Sequence, residues 1–455
     1  MKRREALKRM GALGAAAALP KLLGGCGWDE AGSETSGITH LVVLCMENRS
    51  YDHYLGARAL EGLGGDGLAP GMQNPNLAGG SEAIFHETVS CIPDPPHSWG
   101  QSRAQFGGGQ NDGFVTEYER RTGSEITPHP MGYFGREELP FSWAMADSYA
   151  TSDRWFSSVL GPTWPNRMYL HSGQSGGLTE NVLPTTGGID WPSIHHQLND
   201  AGIDWAYYFQ DLPFVPLFKG LDIGGKVRRV VTDFFDDARD GNLPPVTWLE
   251  PHFDLNDDHP PRHPMLGQLF MSSVYQAMAQ SPHWDNCLVV MLYDEHGGFY
   301  DHVAPPKAPD ARAAAGFDQL GFRVPAFVAG PYVKEGYVSS EVRDHCSVLR
   351  HLTDLYGLTP LTERVAWAPD LLDFIDLERL EAGNPRPPAA MPEVLVDESE
   401  ITSACARIMP SQPELVALAD AGFFPPGLDR RAHREQDARD LLKIAQKLGA
   451  GRLRS

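Results

Sequence analysis

Positive charge is scarce in this sequence: 38 Lys and Arg stand against 59 Asp and Glu, a formal net charge of −21 over 455 residues. The imbalance is larger than that figure implies. Lys2, Arg3, Arg4, Lys8, Arg9 and Lys21 all fall within the first 26 residues, against the single acid Glu5, so the remainder carries −26. So acidic a body excludes nucleic acid, or an anionic membrane surface, as a partner held by bulk electrostatics. Any anionic ligand must instead be held locally, by a cation and a few basic side chains.

A long apolar run is also missing from the amino terminus. Met10–Leu19 is too short to anchor stably across a bilayer. Behind its basic start it reads as an export signal, to be set aside from the fold. Arg3-Arg4 with Leu7-Lys8 fits the twin-arginine type, which predicts passage of the folded chain through the twin-arginine export machinery. Leu23-Gly24-Gly25-Cys26 fits a lipoprotein box with Cys26 as the lipidated residue. The expected location is exported: periplasmic, held at the membrane by a lipid anchor, or secreted. Cysteine is sparse, six in all, without CxxC spacing. Cys45 and Cys287 lie in apolar runs and read as buried free thiols. Cys91, Cys346 and Cys405 leave room for one disulfide, and the sequence singles out no pair.

What is present is an ordinary globular composition, 42% hydrophobic and 21% charged, with enough Gly (47) and Pro (37) to predict a loop-rich protein. Thr39–Met46, Asn286–Tyr293 and Val324–Ala329 are short apolar runs without alternation, the pattern of strands buried on both faces. Helical periodicity lies between and beyond them, at Gly267–Ser281 and Cys346–Tyr356. Strands alternating with helices predict an α/β layered fold with a mostly parallel central sheet flanked by helices. The expected division is an export signal over 1–26, a linker over 27–37, a catalytic domain over 38–382, and a C-terminal wrapping arm with a solvated, charged helix over 383–455. Little chemistry is expected beyond about residue 360.

Ligands in such folds bind at the carboxyl ends of strands. Two of the runs end there in polar groups, Glu47-Asn48-Arg49-Ser50 and Asp294-Glu295-His296. Gly161-Pro162-Thr163-Trp164-Pro165-Asn166-Arg167 is a turn that would present the Thr163 hydroxyl, with Arg167 four residues on and able to fork onto phosphate oxygens. Taken alone it reads as a plain Thr-Pro turn. Its company changes that: ITHLVVLCMENRSYDHYLG at 38–56, DPPHSW at 94–99, TWLEPHFDLNDDHPPRHP at 247–264, DEHGGFYDHVAPP at 294–306 and DHCSVL at 344–349.

These segments, in this order, resemble the phosphoesterase family of bacterial phosphatidylcholine-hydrolysing phospholipases C, plant non-specific phospholipases C and bacterial acid phosphatases. The resemblance covers roughly residues 38–360 and implies an alkaline-phosphatase-like fold. It further implies Thr163 as nucleophile and metal ligand, with Glu47, Asn48, Asp294 and Glu295 as the other ligands. His97 and His259 become catalytic histidines, Arg167 and Asn166 phosphate-binding residues, and His345 and His296 supporting residues behind the ligands. Oxygen donors suit a divalent cation such as Ca²⁺, Mg²⁺ or Mn²⁺, and the nearby histidines would also admit Zn²⁺. Thr163-x-Pro-x-Arg167 resembles a sulfatase frame as well, but Thr cannot become formylglycine, which excludes a sulfatase. The chain also stops short of the extra C-terminal domains of larger bacterial phospholipases of this family.

The implied activity is metal-dependent hydrolysis of the phosphodiester of a phospholipid through Thr163. Two alternatives stand beside it: an acid phosphatase acting on small soluble phosphomonoesters, and an exported lipoprotein that binds metal or lipid without turnover.

Overall fold

The computed structural model describes residues 37–124, 126–399 and 410–454. The export-signal, lipoprotein-box and linker assignments therefore lie outside the described residues, apart from Gly37. The two longest apolar runs form the two central strands, β1 (His40–Met46) and, later, Cys287–Tyr293, each buried almost end to end. In chain order the main sheet is β1, β2 (Ala150–Ser152), β3 (Trp205–Phe209), β4 (Val227–Arg229), β5 (Val246–Leu249), β6 (Cys287–Tyr293), β7 (Ala326–Ala329) and β8 (Tyr337–Ser339). In space the order is β8-β2-β7-β6-β1-β5-β3-β4.

β1 pairs in parallel with both β6 and β5, and β5 with β3. The exception is β7, which runs antiparallel to β6 and to β2. The four-residue run AFVA carries no direction in its composition. Its buried character was therefore readable and its orientation was not.

Helices α1 (Thr163–Ser172), α2 (Pro264–Ala279) and α3 (Cys346–Tyr356) pack with the sheet into one large core. Near the carboxyl end lie β9 (Val394–Val396), α4 (Pro413–Asp420), α5 (Arg434–Leu448) and β10 (Gly451–Leu453). The expectation of a solvated terminal helix needs correction. Ala438, Leu441, Leu442 and Ala445 are buried, spaced three or four apart on one face of α5. β10 pairs with β9 within the arm, and Ser272 of α2 donates to the Ala450 carbonyl at 3.0 Å, so the arm is fastened to the domain. Cys45, Cys287 and Cys346 are buried free thiols, and Cys91 is disulfide-bonded. Among the described residues no helix is long and apolar enough to cross a membrane.

Candidate active site

The site begins with three strand ends on one edge of the sheet. Met46 of β1 is in register with Tyr293 of β6, and β5 closes the other side at Leu249. The next residues, Glu47, Asp294 and Glu250, are therefore carried out side by side. Arg167 of α1 enters among them. Its Nε donates to Asp294 Oδ2 at 3.4 Å, one terminal nitrogen to Glu250 Oε2 at 2.5 Å, and the other to the Cys45 carbonyl at 3.3 Å while lying 3.3 Å from Glu47 Oε1. All four side chains are out of contact with solvent.

One guanidinium does not neutralise this many carboxylates. Burial, and then the charge of Asp294, hold the Glu47 carboxyl well above its ordinary range despite Arg167. Burial does the same to Asp294, with Glu295 adding to it, and burial also raises Glu250.

Thr163 is the first residue of α1, directly after Pro162 in an extended conformation. Asn166 shapes that entry. Its Nδ2 donates to the Gly161 and Pro162 carbonyls at 3.1 Å, and its Oδ1 accepts from Val159 N at 3.0 Å. The helix N-terminus supplies a positive field at the hydroxyl, where an anion would be favoured. Thr163 Oγ1 accepts from Gln412 Nε2 at 3.2 Å, and the same nitrogen lies 3.0 Å from both oxygens of Glu47. The orientation of that amide is set by Trp164, whose Nε1 donates to Gln412 Oε1 at 2.9 Å.

The second half of the site lies around Glu295. Asn48 Nδ2 donates to Glu295 Oε1 at 2.8 Å, and Gly297 N to Oε2 at 2.7 Å. Gly297 has φ +63°, and a Cβ there would fall 2.1 Å from the Asn48 carbonyl. Only glycine lets the two polar turns approach this closely. Burial works against charge on Glu295, but His97, His296 and the Gly297 N–H outweigh it and hold the carboxyl down at about 2.

His97 places Nδ1 2.7 Å from the Pro95 carbonyl and Nε2 3.4 Å from Asn48 Nδ2 and 3.7 Å from Glu295 Oε1. Burial opposes its charge, yet Glu295 and Asp94 outweigh burial and raise it. His259 stands against it with ring centroids 5.6 Å apart, and burial pushes it down to about 4. Its Nδ1 lies 2.6 Å from the Pro260 carbonyl. Each Nδ1–H is thus committed to a carbonyl, which leaves Nε2 as the exchangeable position on both rings. Asp94, His97 and His259 bring one donor atom each within 4.8 Å of one another.

The residues singled out in the sequence are brought together, through contacts that run from Thr163 by way of Gln412, Glu47 and Arg167 to Asp294, and from Glu295 through Asn48 to His97. His296 and His345 stand behind the acids. His296 Nδ1 is 3.3 Å from Glu295 Oε2, and His345 Nε2 is 2.6 Å from the Asp294 carbonyl. Two side chains sit otherwise than expected. Arg167 is occupied by carboxylates and Asn166 by the turn that precedes α1, so either would have to leave these partners to touch a phosphate. Three residues were not anticipated: Glu250, Asp94 and Gln412. Glu250 ends TWLE as Glu47 ends its own strand run, so its signal was present. Gln412 had none, and it brings contacts with Glu47 and Thr163 from beyond about residue 360, where little chemistry was expected.

The oxygen donors are of the type a divalent cation takes, while the described acids and histidines whose donor atoms already converge within 4.8 Å are Asp94, His97 and His259. Asn48 Oδ1 is buried with no hydrogen-bond partner, and Glu47 and Asp294 are buried acids short of positive charge. Glu47, Asn48, Asp294, Glu295 and the Thr163 hydroxyl offer the hard oxygen ligands such an ion takes.

Comparison with known proteins places the chain in a family. The phosphoesterase family profile matches residues 38–359. Non-specific phospholipase C6 of Arabidopsis thaliana is 33% identical over 426 residues, covering 84% of this chain and 80% of the relative. Phospholipase C A of Mycobacterium tuberculosis is 29% identical over 433 residues, covering 81% and 83%. A solved structure of an alkaline phosphatase superfamily protein from Vibrio parahaemolyticus is similar at 10% identity and TM-score 0.37, over 82% of this chain and 78% of that one, too slight a likeness to add weight. The chain belongs to the phosphoesterase family, enzymes that hydrolyse phosphoric ester bonds.

Proposed function

We propose that the chain is a metal-dependent phospholipase of the C type, cleaving a phospholipid into diacylglycerol and a phosphorylated head group through Thr163. The observation that carries this reading is the Thr163 hydroxyl at the start of α1, joined through one amide to the buried acid Glu47. Relatives named phospholipases C, alignable over four-fifths of the chain, support the substrate class.

A hydroxyl is a weak nucleophile near neutral pH and has to be activated. A divalent cation held by Glu47, Asn48, Asp294, Glu295 and Thr163 would supply that activation and offset charge on the phosphoryl oxygens. The protein does the rest. Asn166 and the Gly161-Pro162 turn fix the entry to α1, Gln412 fixes the Thr163 oxygen, and Arg167 holds three carboxylates in one place. Thr163 Oγ gives up its proton to solvent and attacks phosphorus, and the bond to the diacylglycerol oxygen breaks. That oxygen takes a proton from His97, whose acid neighbours favour its charged form; a bound cation would moderate this. Water then cleaves the phosphothreonine ester, giving a proton to a histidine that passes it back to His97, while the departing Thr163 oxygen regains its own from solvent. His259, neutral at pH 7 because of its burial, is suited to accept it. Two titrating groups pushed apart by their surroundings are the usual basis for such a division of roles.

The test is hydrolysis of phosphatidylcholine and of p-nitrophenyl phosphate by the purified chain, with and without chelator. Chelator-sensitive release of diacylglycerol supports the proposal. Activity on the monoester alone moves the same site to the acid phosphatase reading, and activity on neither removes both.

A further inference from the structure

Asp94, His97 and His259 differ in chemistry from the acids at the strand ends. Each offers one donor atom, and the three atoms lie within 4.8 Å of one another. All three line a cavity of ≈ 560 Å³. The side chains of Asp94 and His97 are 23% and 15% exposed, so an ion entering from solvent can reach them.

The backbone holds this arrangement in place. Asp94 and His97 belong to the run Pro93-Asp94-Pro95-Pro96-His97, in which each proline fixes φ. Gln105 Nε2 donates to the Pro96 carbonyl at 2.7 Å and Ser102 Oγ to the His97 carbonyl at 3.1 Å. His259 precedes Pro260 and Pro261, and its backbone N–H donates to Asp257 Oδ1 at 3.2 Å. The rings are oriented in the same way as each other. His97 Nδ1 faces the Pro95 carbonyl at 2.7 Å, and His259 Nδ1 the Pro260 carbonyl at 2.6 Å. A bond of that kind fixes the tautomer and leaves the Nε2 lone pair for a metal ion.

Donor type selects the ion. Two imidazoles and a carboxylate suit Zn²⁺ and its transition-series neighbours, whereas the oxygen donors of Glu47, Asn48, Asp294, Glu295 and Thr163 suit Mg²⁺, Ca²⁺ or Mn²⁺. Ligand atoms about 2.0–2.2 Å from a tetrahedral Zn²⁺ stand about 3.4 Å apart, so the triad has to contract by about 1.4 Å at its widest. Asp94 can supply that movement, because it is held loosely. Arg121 Nη1, on a side chain 49% exposed, is 3.5 Å from its Oδ2, and His97 Nδ1 is 3.5 Å from its Oδ1. Three protein ligands leave a fourth position for water from the cavity.

We propose that Asp94, His97 and His259 form a transition-metal site separate from the oxygen-ligand site, and that an ion held there switches turnover off. Zn²⁺ on the two Nε2 atoms occupies the lone pairs that carry protons during hydrolysis, so the two uses exclude each other. The site stands on geometry. Its effect on turnover rests on the proton roles that the phospholipase reading gives to His97 and His259.

Calorimetric titration of the full chain with Zn²⁺ in saturating Mg²⁺ tests the site without turnover. One equivalent should bind to the unaltered protein and also to Asn48→Ala, whose oxygen site lacks a ligand. Losing only a supporting hydrogen bond at a metal costs about 10–100-fold in affinity, so Kd should rise at least about tenfold in Asp94→Asn and about a hundredfold in His259→Gln. Co²⁺ used in place of Zn²⁺ should give the visible bands of a four- or five-coordinate ion, and the same two variants should lose them. Asp94 is partly exposed, so Asp94→Asn decides the matter even where His259→Gln fails to fold. Phosphatidylcholine hydrolysis by the parent should fall about tenfold at a Zn²⁺ concentration ten times Kd. Absence of Zn²⁺ binding overturns the site, as does affinity that is kept in Asp94→Asn and lost in Asn48→Ala. Undiminished turnover by the zinc-loaded protein overturns the switch. If no phospholipid is turned over at all, the phospholipase reading fails, and the calorimetry still decides the triad.

Discussion

Replacing Gln412 by Ala should damage both stability and turnover, although the residue lies 249 positions from Thr163 and 365 from Glu47. Its side chain is 1% exposed, so no solvent stands ready to take over its contacts. The Nε2 atom serves Glu47 Oε1 and Oε2 at 3.0 Å and Thr163 Oγ1 at 3.2 Å. Losing a hydrogen bond to a buried acid costs about 1.5–3 kcal/mol. The Trp164 indole N–H, which donates to Gln412 Oε1 at 2.9 Å, is then orphaned at a further cost of about 1–3 kcal/mol. A loss of about 3–5 kcal/mol follows. At about 2 cal/mol/K per residue, roughly 400 ordered residues unfold with an entropy near 0.8 kcal/mol/K, so Tm should drop by about 4–6 °C. Turnover should fall by roughly ten- to a hundredfold in kcat, with KM little changed, because the nucleophile loses the donor that positions it. Gln412→Met keeps most of the volume and separates lost hydrogen bonds from a lost packing partner; it should be as slow as the Ala variant and nearer the parent in Tm. Scanning calorimetry and steady-state hydrolysis on the same preparations decide the matter. A Gln412→Ala protein with parental Tm and kcat would refute the reasoning.

Other consequences are open to measurement. Divalent cation should raise Tm, by an amount equivalent to about 2.7 kcal/mol at a hundred times Kd, and Asn48→Ala should abolish most of that rise by removing the unpartnered Oδ1. Arg167→Met leaves Glu47, Glu250 and Asp294 without their shared cation and should cost at least about 3–5 kcal/mol, seen as loss of soluble protein or a sharply lowered Tm. Away from the site, burial opposes charge on His302, but the hydrogen bond and charge of Asp52, with Asp301, raise it to about 9. Because the folded value exceeds the unfolded one near 6.5, the stabilisation is complete below pH 6.5 and is lost as pH rises through about 9. Allowing for partial exposure it amounts to about 2–3 kcal/mol, and His302→Gln should remove this portion of the alkaline fall in Tm.

Much of the site was legible because burial on both faces of a strand leaves a continuous apolar run, and a charged residue ending such a run needs a reason to be there. LVVLCM followed by Glu47, and LVVMLY followed by Asp294, declare themselves in that way. TWL followed by Glu250 carries the same mark in a shorter strand. Thr163 and Arg167 were readable as a turn with a cation four residues on, though not as the start of a helix. What the arginine meets was not, because that depends on which strand ends become neighbours in the sheet. Gln412 lay beyond reach for a different reason. A lone amide in SQPELVAL has no local signature, and its importance comes from a contact closed across most of the chain. The terminal helix was half legible, since its apolar stripe of four residues is diluted among Arg, Asp, Glu and Lys.

The central claim is that Thr163 Oγ attacks phosphorus, and turnover by Thr163→Ala at saturating phospholipid and divalent cation tests it most directly. A fall of at least about a thousandfold, with Tm within a few degrees of the parent, is the predicted result. Activity within tenfold of the parent would contradict the account and assign the attack to another group.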